Sequence, residues 1–501
     1  MPQMLFVDEK TGEWVEFPAL EMAGMAGNRL VMPTKADLIP LPEGATLTMM
    51  PGAQPIGIDA ESGEFLLLDE NPYEEAGRKV CALAALLPQG FTRLLLPAAT
   101  DSDQNLPLLG YTAVGLDNGQ LVVAAQRADE HRRWHPQHYN TPGLKKLVEK
   151  RLQLQPDNRI LQHLAHCALE YGCFTAQNVF YRRWEGGIPV SPRCNANCIG
   201  CISLQPSECC PSPQNRITFI PTPDEVAEIA IDHLQHAEDG IISFGQGCEG
   251  EPSLQYKVIA EAIAKTRAVT DKGIININTN AGNTEAIRAI CDAGIDTLRI
   301  SLFSPVPEDY AAYHKPAGYT LQDVKNSLIY AQEHGKQTSL NLLAYPGYID
   351  DPRHVDALID FIRETGVQLL QIRNLNIDPK RMKDICGDSH GMGMRQMIDY
   401  MQGRLPELAI GSYTHKLEED DHGLLAEKPG KAKAKPAAPK QDKPKQSKPQ
   451  DKPKNGAPKG GKGGKGGASK PAGGKNSGSS HAKNNGGGLL AGLKEQNRRK
   501  K

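Results

Sequence analysis

Three closely spaced cysteines are the residues best suited to chemistry in this sequence. Cys194, Cys198 and Cys201 form the pattern C-x3-C-x2-C. Thiolates are soft ligands that favour zinc or iron–sulfur clusters. Three thiolates in one tight loop can hold three irons of a [4Fe–4S] cube, which leaves the fourth iron open to an exogenous chelator. The spacing therefore predicts an iron–sulfur site with one open iron.

A closed zinc site is the competing interpretation of this loop. Cys209 and Cys210 follow Cys201 closely in the chain. A structural zinc site has four protein ligands, so these two thiols can complete one. Loss of Cys209 and Cys210 should abolish a closed zinc site and leave a three-cysteine cluster intact. Together with Cys248, they are also candidates for a redox pair, a hydrogen-atom donor or extra ligands.

Alternating strand and helix patterns surround the cysteines and must position them. Amphipathic helices begin at Thr222, Thr320 and Asp351, the first two with a capping-box residue three positions on. The apolar β-type runs between such helices are Ile188–Val190, Ile241–Phe244, Ile274–Ile277, Thr297–Leu302, Ser339–Leu343 and Leu369–Ile372. Six β–α units predict a parallel α/β domain, either an open sheet or a barrel. In both cases the chemistry belongs at the C-terminal ends of the strands.

Polar residues stand at several of these strand ends. The second run leads into a glycine-rich turn that contains Gly250 and Glu251. A ligand's ammonium group requires a carboxylate or carbonyl, and glycines let the backbone approach closely. The other strand-end candidates are Thr279, Asn280, Arg299, Ser301, Arg373, Asn374 and Asn376. Because side chains two positions apart lie on the same face of a strand, Arg299 shares a face with Ser301, and Asn374 shares one with Asn376. Both pairs can therefore point into a barrel.

A C-x3-C-x2-C loop after the first strand of a β/α domain resembles the radical S-adenosylmethionine (radical SAM) superfamily, over roughly residues 187–400. The resemblance implies a partial parallel (β/α)6 barrel and a [4Fe–4S] cluster on Cys194, Cys198 and Cys201. In that family the free iron chelates the amino and carboxylate groups of S-adenosylmethionine. An electron from the reduced cluster splits the sulfonium, and the 5′-deoxyadenosyl radical abstracts hydrogen from a substrate.

The resemblance also implies roles for the strand-end residues. Gly250 and Glu251 fit the second half of the family's Gly-Gly-Glu-like element, which meets the methionyl amino group, whereas Glu249 replaces its first glycine. The polar residues implied in contacts with cofactor or substrate are Thr279, Asn280, Ser301 and Asn374. Gly200 departs from the family, which often has an aromatic residue there near the adenine, so Ile199 is one candidate for that contact. No catalytic residue is identified.

Charge and composition divide the chain of 501 residues. It has 57 basic and 59 acidic residues, of which 21 basic and 3 acidic lie in 428–501. This basic tail, taken as 427–501, is rich in glycine and proline and is predicted to be disordered. We expect a β-rich N-terminal domain of unknown role over 1–127, with one helix near 73–87. A helical connector over 128–186 and the α/β core with a helical extension over 187–426 follow.

Several protein classes are disfavoured by the sequence. It lacks the apolar run of about 20 residues that a membrane helix needs and the basic-then-apolar pattern of a signal peptide. Eleven cysteines are an odd number, so a disulfide framework is not expected and a reducing cytoplasm is the predicted location. Apolar helical surroundings predict that four of these thiols are core residues: Cys81, Cys167, Cys173 and Cys291. The segment His314-Lys315-Pro316 is a candidate for lining a substrate site, but a loop flanking a helix is the favoured interpretation.

Two functional hypotheses of different classes follow. The first is a radical SAM enzyme with a peptide or protein, RNA or metabolite as substrate and a reducing donor such as flavodoxin or ferredoxin. The second is a non-catalytic module, stabilised by zinc or iron–sulfur, that docks on nucleic acid through its tail. A plain electron carrier is a weaker third. The tail can also bind an acidic protein or fold back on the acidic body, and it lacks the aromatic residues used for base stacking.

Overall fold

The computed structural model describes residues 1–129, 133, 135–205, 212–387 and 390–411. Cys209, Cys210 and the basic tail predicted to be disordered lie outside these residues. Within the described ranges, no helix combines the length and apolar character needed to cross a membrane.

Residues 1–127 are β-rich, as predicted. Their strands are β1 (Gln3–Asp8), β2 (Trp14–Met22), β3 (Gly24–Ala26), β4 (Arg29–Val31), β5 (Leu38–Pro40), β6 (Thr46–Met50), β7 (Ile56–Asp59), β8 (Phe65–Leu67), β9 (Val80–Leu86), β10 (Phe91–Arg93), β11 (Leu96–Pro97), β12 (Tyr111–Thr112), β13 (Val114–Asp117) and β14 (Gln120–Arg127). Strands β3, β4 and β11 form a small sheet, and the other eleven form a larger one.

Strand β9 lies where the sequence predicted a helix over 73–87, so that prediction is wrong. The strand pairs with β1, β6 and β12 and is buried along almost its whole length. Its three alanines favour a helix when taken alone. Pairing with three neighbouring strands outweighs this local preference, because strand propensity depends on burial and on cross-strand partners.

Helices follow the β-rich region and then alternate with the strands of the core. They are α1 (Leu144–Leu154), α2 (Arg159–Leu169), α3 (Phe174–Tyr181), α4 (Pro223–His236), α5 (Tyr256–Arg267), α6 (Thr284–Asp292), α7 (Pro307–His314), α8 (Leu321–Glu333), α9 (Pro352–Thr365), α10 (Lys383–Cys386) and α11 (Met394–Arg404). The capping boxes predicted at Thr222 and Thr320 are present at the starts of α4 and α8.

Seven described strands form a parallel half-barrel in chain order, which confirms the predicted fold class. They are β15 (Arg183–Gly187), β16 (Glu238–Phe244), β17 (Ile274–Thr279), β18 (Thr297–Leu302), β19 (Gln337–Ala344), β20 (Leu369–Asn374) and β21 (Ala409–Gly411). The short strand β21 was not predicted, since three residues are too few to show a period.

The first strand of the half-barrel begins earlier than predicted. It is Arg183–Gly187 and not Ile188–Val190. Arg183 and Glu185 broke the apolar pattern on which the prediction relied. Ile188 still donates a backbone hydrogen bond to Ser243 on β16, at 3.0 Å, before the chain leaves the sheet. The predicted domain limit at residue 187 therefore falls at the end of a strand; the other domain limits stay predictions.

The two faces of the half-barrel differ in polarity. On β17, Ile275 and Ile277 belong to the same apolar core as residues of the surrounding helices. Asn276 and Asn278 alternate with them on the opposite face. The same alternation recurs on β18, where Arg299 lies between core residues. The face away from the helices is therefore lined with polar side chains, which is typical of a barrel that holds a ligand and not of a sheet buried on both sides.

The β-rich region packs against the C-terminal ends of β19 and β20. Arg93, at the end of β10, is completely buried. Its guanidinium donates to the carbonyl oxygens of Ala344 at 3.1 Å and Leu375 at 2.9 Å. A second contact is the backbone N–H of Leu106, which donates to Asp378 at 3.0 Å. The β-rich region therefore covers part of the half-barrel edge that is formed by the C-terminal ends of its strands, where the polar residues lie.

Candidate functional site

The cysteine motif lies on the long connection between β15 and α4. Cys194, Cys198 and Cys201 are each half-buried, and none of them forms a disulfide. A loop without regular secondary structure is held in place by contacts with its neighbours. Two segments of the core make these contacts, one on each side of the loop.

The segment that ends α7 holds one side of the cysteine loop. The backbone N–H of Asn197 donates to the carbonyl of His314 at 3.1 Å, and that of Ile199 donates to Tyr313 at 3.1 Å. In the other direction, Ala317 donates to Asn195 at 2.8 Å. These bonds bracket Cys198 on both sides, so the middle cysteine is fixed by backbone contacts to the fourth β–α unit.

The turn after β16 holds the other side. Gly250 donates its N–H to the carbonyl of Ser191 at 2.7 Å, and Glu251 donates to Arg193 at 2.8 Å. A Cβ on Gly250 would lie 2.0 Å from the carbonyl oxygen of Arg193. Only glycine permits this approach, which brings the predicted S-adenosylmethionine-binding turn directly against the residue before Cys194.

Glu251 links this turn to the end of β17. Its buried carboxylate accepts hydrogen bonds from the backbone N–H of Asn280 at 2.8 Å, from Ser253 at 3.0 Å and from the Thr279 hydroxyl at 2.5 Å. The side-chain amide of Asn280 continues the chain of contacts to Asn195 at 2.7 Å. Burial raises the pKa of Glu251 against these hydrogen bonds. Thr279, Asn280, Gly250 and Glu251 thus meet at the cysteine loop.

Glu249 holds the backbone in place through its hydrogen bonds. It lies where the resembled family has a glycine. Its carboxylate is buried and accepts from the backbone N–H groups of Val190 at 2.8 Å, Ser191 at 3.0 Å and Gly245 at 2.5 Å. Burial raises the pKa of Glu249 to about 8, although these three hydrogen bonds act in the opposite direction. Glu249 therefore ties the chain at the start of the cysteine loop to the end of β16.

His314 contacts the middle cysteine, a role that sequence reasoning missed. It was expected to lie on a loop, but it is the buried last residue of α7. Its Nε2 accepts from the backbone N–H of Phe303 at 3.2 Å, so the proton of the neutral ring sits on Nδ1. That nitrogen lies 3.3 Å from Cys198 Sγ. Burial lowers the pKa of His314 to about 3, which keeps the ring neutral and its Nδ1–H directed at the sulfur.

Polar groups also surround the third cysteine. Cys201 Sγ lies 3.5 Å from the hydroxyl of Ser203 and 3.5 Å from the guanidinium of Arg216. Burial opposes the thiolate at Cys201, but the hydrogen bonds from Ser203 and the charge of Arg216 lower its pKa overall. Burial raises the pKa of Cys194 to about 11, and it raises that of Cys198 as well. These two thiolates therefore need a cation beside them, which bound iron would supply.

The spacing of the three sulfurs bears on the kind of metal. Within the described ranges, the only group of three or more ligand atoms within 4.8 Å of one another consists of His163, Cys167 and Cys248. The motif cysteines therefore do not converge on one point, as the ligands of a single tetrahedral zinc must. Ligands that each bind a different iron of a cube stand farther apart. The donor set and its N–H neighbours fit an iron–sulfur cluster.

An aromatic side chain occupies the space beside Gly200. A Cβ on Gly200 would lie 2.5 Å from the hydroxyl of Tyr313. The Tyr313 ring stacks on Phe303, with a centroid distance of 4.5 Å. An aromatic residue at position 200 would collide with this pair, so α7 supplies the aromatic surface next to the third cysteine. Ile199, the residue suggested for adenine contact, is buried.

The polar face of the half-barrel carries a buried ion pair. Glu185 accepts from Arg299 at 3.2 Å, from Ser243 at 2.6 Å and from Gln246 at 3.2 Å. Arg373 on β20 shares this face, and burial lowers its pKa to about 9. Two arginines beside one glutamate leave a net positive charge, which favours an anionic group of a ligand. Glu185 was missed by sequence reasoning because the strand that carries it was placed too late.

Two of the predicted binding residues lie apart from the cysteine loop. Ser301 is half-buried on β18, with the parity of Arg299 as predicted. Asn374 does not point into the barrel, since Arg373 is the residue of β20 with that parity. Its carboxamide accepts from the backbone N–H of Arg93 and donates to the carbonyl of Phe91, both at 2.9 Å. Asn374 therefore connects the half-barrel to the β-rich region.

Residues 188–361 match the sequence model of the Radical SAM superfamily. The chain contains a radical SAM domain. This domain begins directly after β15. No curated protein sequence matches the chain.

Several solved structures are similar to this chain at low sequence identity. Native anSMEcpe with bound AdoMet is 15% identical, with a TM-score of 0.34, over 45% of this chain and 63% of that one. Streptococcus suis SuiB is 14% identical, with a TM-score of 0.33, over 55% of this chain and 60% of that one. This chain thus spans less than two thirds of either protein.

Proposed function

We propose that this protein is a radical SAM enzyme in which Cys194, Cys198 and Cys201 hold a [4Fe–4S] cluster. In the same proposal, the turn at Gly250 and Glu251 seats S-adenosylmethionine on the open iron. When bound, the reduced cluster supplies the electron that cleaves S-adenosylmethionine and starts hydrogen abstraction from a substrate.

One observation carries the proposal: the contact between the glycine-rich turn and the cysteine loop. The N–H groups of Gly250 and Glu251 donate to Ser191 and Arg193, immediately before Cys194. A molecule bound to an iron near Cys194 would therefore lie next to backbone carbonyls and the glycine of this turn. Such groups suit the ammonium end of an amino acid.

The remaining residues would orient and shield the reacting groups. His314 directs an N–H at Cys198 Sγ, and Arg216 and Ser203 contact Cys201 Sγ. Hydrogen bonds to thiolate ligands tune the reduction potential of an iron–sulfur cluster. Asn280 would limit the movement of the cysteine loop through its bond to Asn195.

The test is an anaerobic reconstitution of the full chain with iron and sulfide. We expect about four irons per chain, a change in the electron paramagnetic resonance of the reduced cluster when S-adenosylmethionine is added, and formation of 5′-deoxyadenosine. Cys198→Ala should lose all three signals. The matched control Cys291→Ala removes a buried thiol on α6 and should keep them.

Two results would overturn the proposal. One is tightly bound zinc at these cysteines with no iron, which would mean a structural site. The other is a cluster whose spectrum does not respond to S-adenosylmethionine, because a ligand that binds the open iron must change the spectrum of the cluster.

We also propose two kinds of partner. A reducing protein such as flavodoxin or ferredoxin would supply the electron, and the basic residues 428–501 would contact nucleic acid or an acidic protein. A chain that ends at Glu427 should assemble its cluster normally and lose salt-sensitive binding to RNA. If the shortened chain binds RNA as tightly as the full chain does, and without dependence on salt, the tail does not contact nucleic acid.

A further inference from the structure

Two cysteines and a histidine from distant parts of the chain meet outside the cysteine loop. His163 and Cys167 lie on α2, and Cys248 lies in the turn after β16. One ligand atom from each falls within 4.8 Å of the others, and His163 Nε2 is 3.5 Å from Cys167 Sγ. The sequence predicted Cys167 as a core residue and left the role of Cys248 open. The structure brings the two together.

The arrangement suits a tetrahedral metal ion. A spacing of four residues puts His163 and Cys167 on the same face of a helix. Zinc binds thiolate sulfur at about 2.3 Å and imidazole nitrogen at about 2.0 Å, so neighbouring ligand atoms stand roughly 3.4–3.8 Å apart. The His163–Cys167 separation already lies in this range, and small rotations of the side chains would bring Cys248 into it.

Burial favours a metal ion over free thiolates at this position. Cys167 is 0% exposed and Cys248 is 3% exposed. An isolated thiolate there would be an uncompensated buried charge, which is costly. Two thiolates and one neutral imidazole carry two negative charges, which balance the two positive charges of Zn²⁺. His163 is half-buried and lies at the outer side of the group, so solvent can supply a fourth ligand.

We propose that His163, Cys167 and Cys248 form a second metal site that binds one zinc ion. The ion would join α2 to the turn that carries Gly250 and Glu251, two and three residues after Cys248. The carbonyl of Cys248 already accepts from the N–H of Ile217 at 2.8 Å. The zinc site would therefore hold the base of this turn, independently of what the cysteine loop binds.

The experiment uses the full chain with Cys194, Cys198 and Cys201 replaced by alanine, which removes the predicted cluster ligands. Co²⁺ is the probe, because it takes tetrahedral zinc sites and its thiolate complexes absorb strongly in the near ultraviolet. We expect one Co²⁺ per chain with this thiolate absorption, displaced by one equivalent of Zn²⁺. Cys248→Ala should abolish the absorption, and His163→Ala should weaken Co²⁺ binding at least tenfold.

Controls separate this site from other thiols and from unfolding. Cys291→Ala should leave the titration unchanged, since Cys291 lies in a different part of the core. His163 is half-buried, so His163→Ala should keep the circular dichroism of the parent chain. The proposal is overturned if no thiolate-bound cobalt forms, or if binding survives the joint replacement of Cys167 and Cys248. A Cys167–Cys248 disulfide in anaerobically purified protein would also overturn it.

A second measurement uses the reconstituted wild-type chain. Zinc added after the iron should be retained at about one ion per chain beside the iron. In Cys248→Ala the zinc should be lost while the iron content stays the same. Zinc retained in Cys248→Ala would overturn this second site, whereas a wild-type chain that binds zinc but no iron would count only against the cluster.

Discussion

The Cα of Gly250 faces the carbonyl oxygen of Arg193 so closely that a Cβ would lie 2.0 Å from that oxygen. This oxygen belongs to the backbone, so it cannot move away as easily as the end of a flexible side chain could. Gly250→Ala should therefore displace the chain just before Cys194, and we expect reconstituted protein to hold less than half of the wild-type iron. Iron and sulfide analysis measures this effect.

A glycine without close neighbours provides the control. Gly403 lies in α11, and a Cβ there would meet no atom within 4 Å. Gly403→Ala should keep the full iron content and raise the free energy of unfolding by about 0.5–1 kcal/mol, because alanine is the better helix residue. Equal iron content in both variants would contradict the importance of the Gly250–Arg193 contact.

Removal of one partner of the Glu185–Arg299 pair should strongly destabilise the protein. Both side chains are 6% exposed, and their charged atoms are 3.2 Å apart. Glu185→Gln would leave Arg299 and the nearby Arg373 without their counter-charge. We expect the free energy of unfolding to fall by about 3–5 kcal/mol, as is typical when one partner of a buried ion pair is removed. Denaturation in guanidinium chloride measures the change.

A more exposed ion pair gives the comparison. Lys325 and Glu364 approach to 2.5 Å, but their side chains are 22% and 46% exposed. Glu364→Gln should lower the free energy of unfolding by less than about 1 kcal/mol. Similar losses in the two variants would show that burial of the Glu185–Arg299 pair has no special effect.

Arg93 should control how firmly the β-rich region is attached. Its guanidinium bonds three buried carbonyls, those of Tyr111, Ala344 and Leu375. Arg93→Met would remove these three hydrogen bonds, at a cost of about 3 kcal/mol in the free energy of unfolding. We expect limited proteolysis to release residues 1–127 faster than in the wild type.

Arg29 is a suitable control for this experiment. It donates to the carbonyl of Gly391 at 3.3 Å from an exposed position. Arg29→Met should change the free energy of unfolding by no more than about 0.5 kcal/mol. If Arg93→Met is cleaved no faster than Arg29→Met, the buried guanidinium does not hold the region in place.

His233 should make stability depend on pH. It is buried in α4 and bonds the carbonyl of Trp184 through Nε2 at 2.8 Å. Burial lowers its pKa to about 4 from a usual value of 6.5. Between these pH values the unfolded chain binds the proton and the folded chain does not. The stabilising contribution is therefore complete above pH 6.5 and is lost progressively as the pH falls towards 4.

The matching variant is His233→Gln, whose amide can still donate to Trp184. Between pH 7 and pH 5, the wild type should lose about 2 kcal/mol more in free energy of unfolding than this variant. Chemical denaturation at the two pH values gives both numbers. Parallel losses would show that His233 is not the group responsible.

The sequence alone determined the features that depend on local spacing. The positions of Cys194, Cys198 and Cys201 can be recognised without a structure, because a loop motif needs only a fixed number of residues between ligands. The parallel α/β class and the capping boxes at Thr222 and Thr320 were predictable for the same reason, since strand and helix periods are local.

The tertiary structure alone decided which distant residues meet. It brings His314 to Cys198, and Cys248 to Cys167, across intervals that no local pattern spans. It also turns Asn374 towards Arg93 and makes residues 80–86 a strand instead of a helix. In each case the partner lies far away in the chain. Burial and hydrogen bonding to that partner outweigh local preference, and they are defined only once the chain has folded.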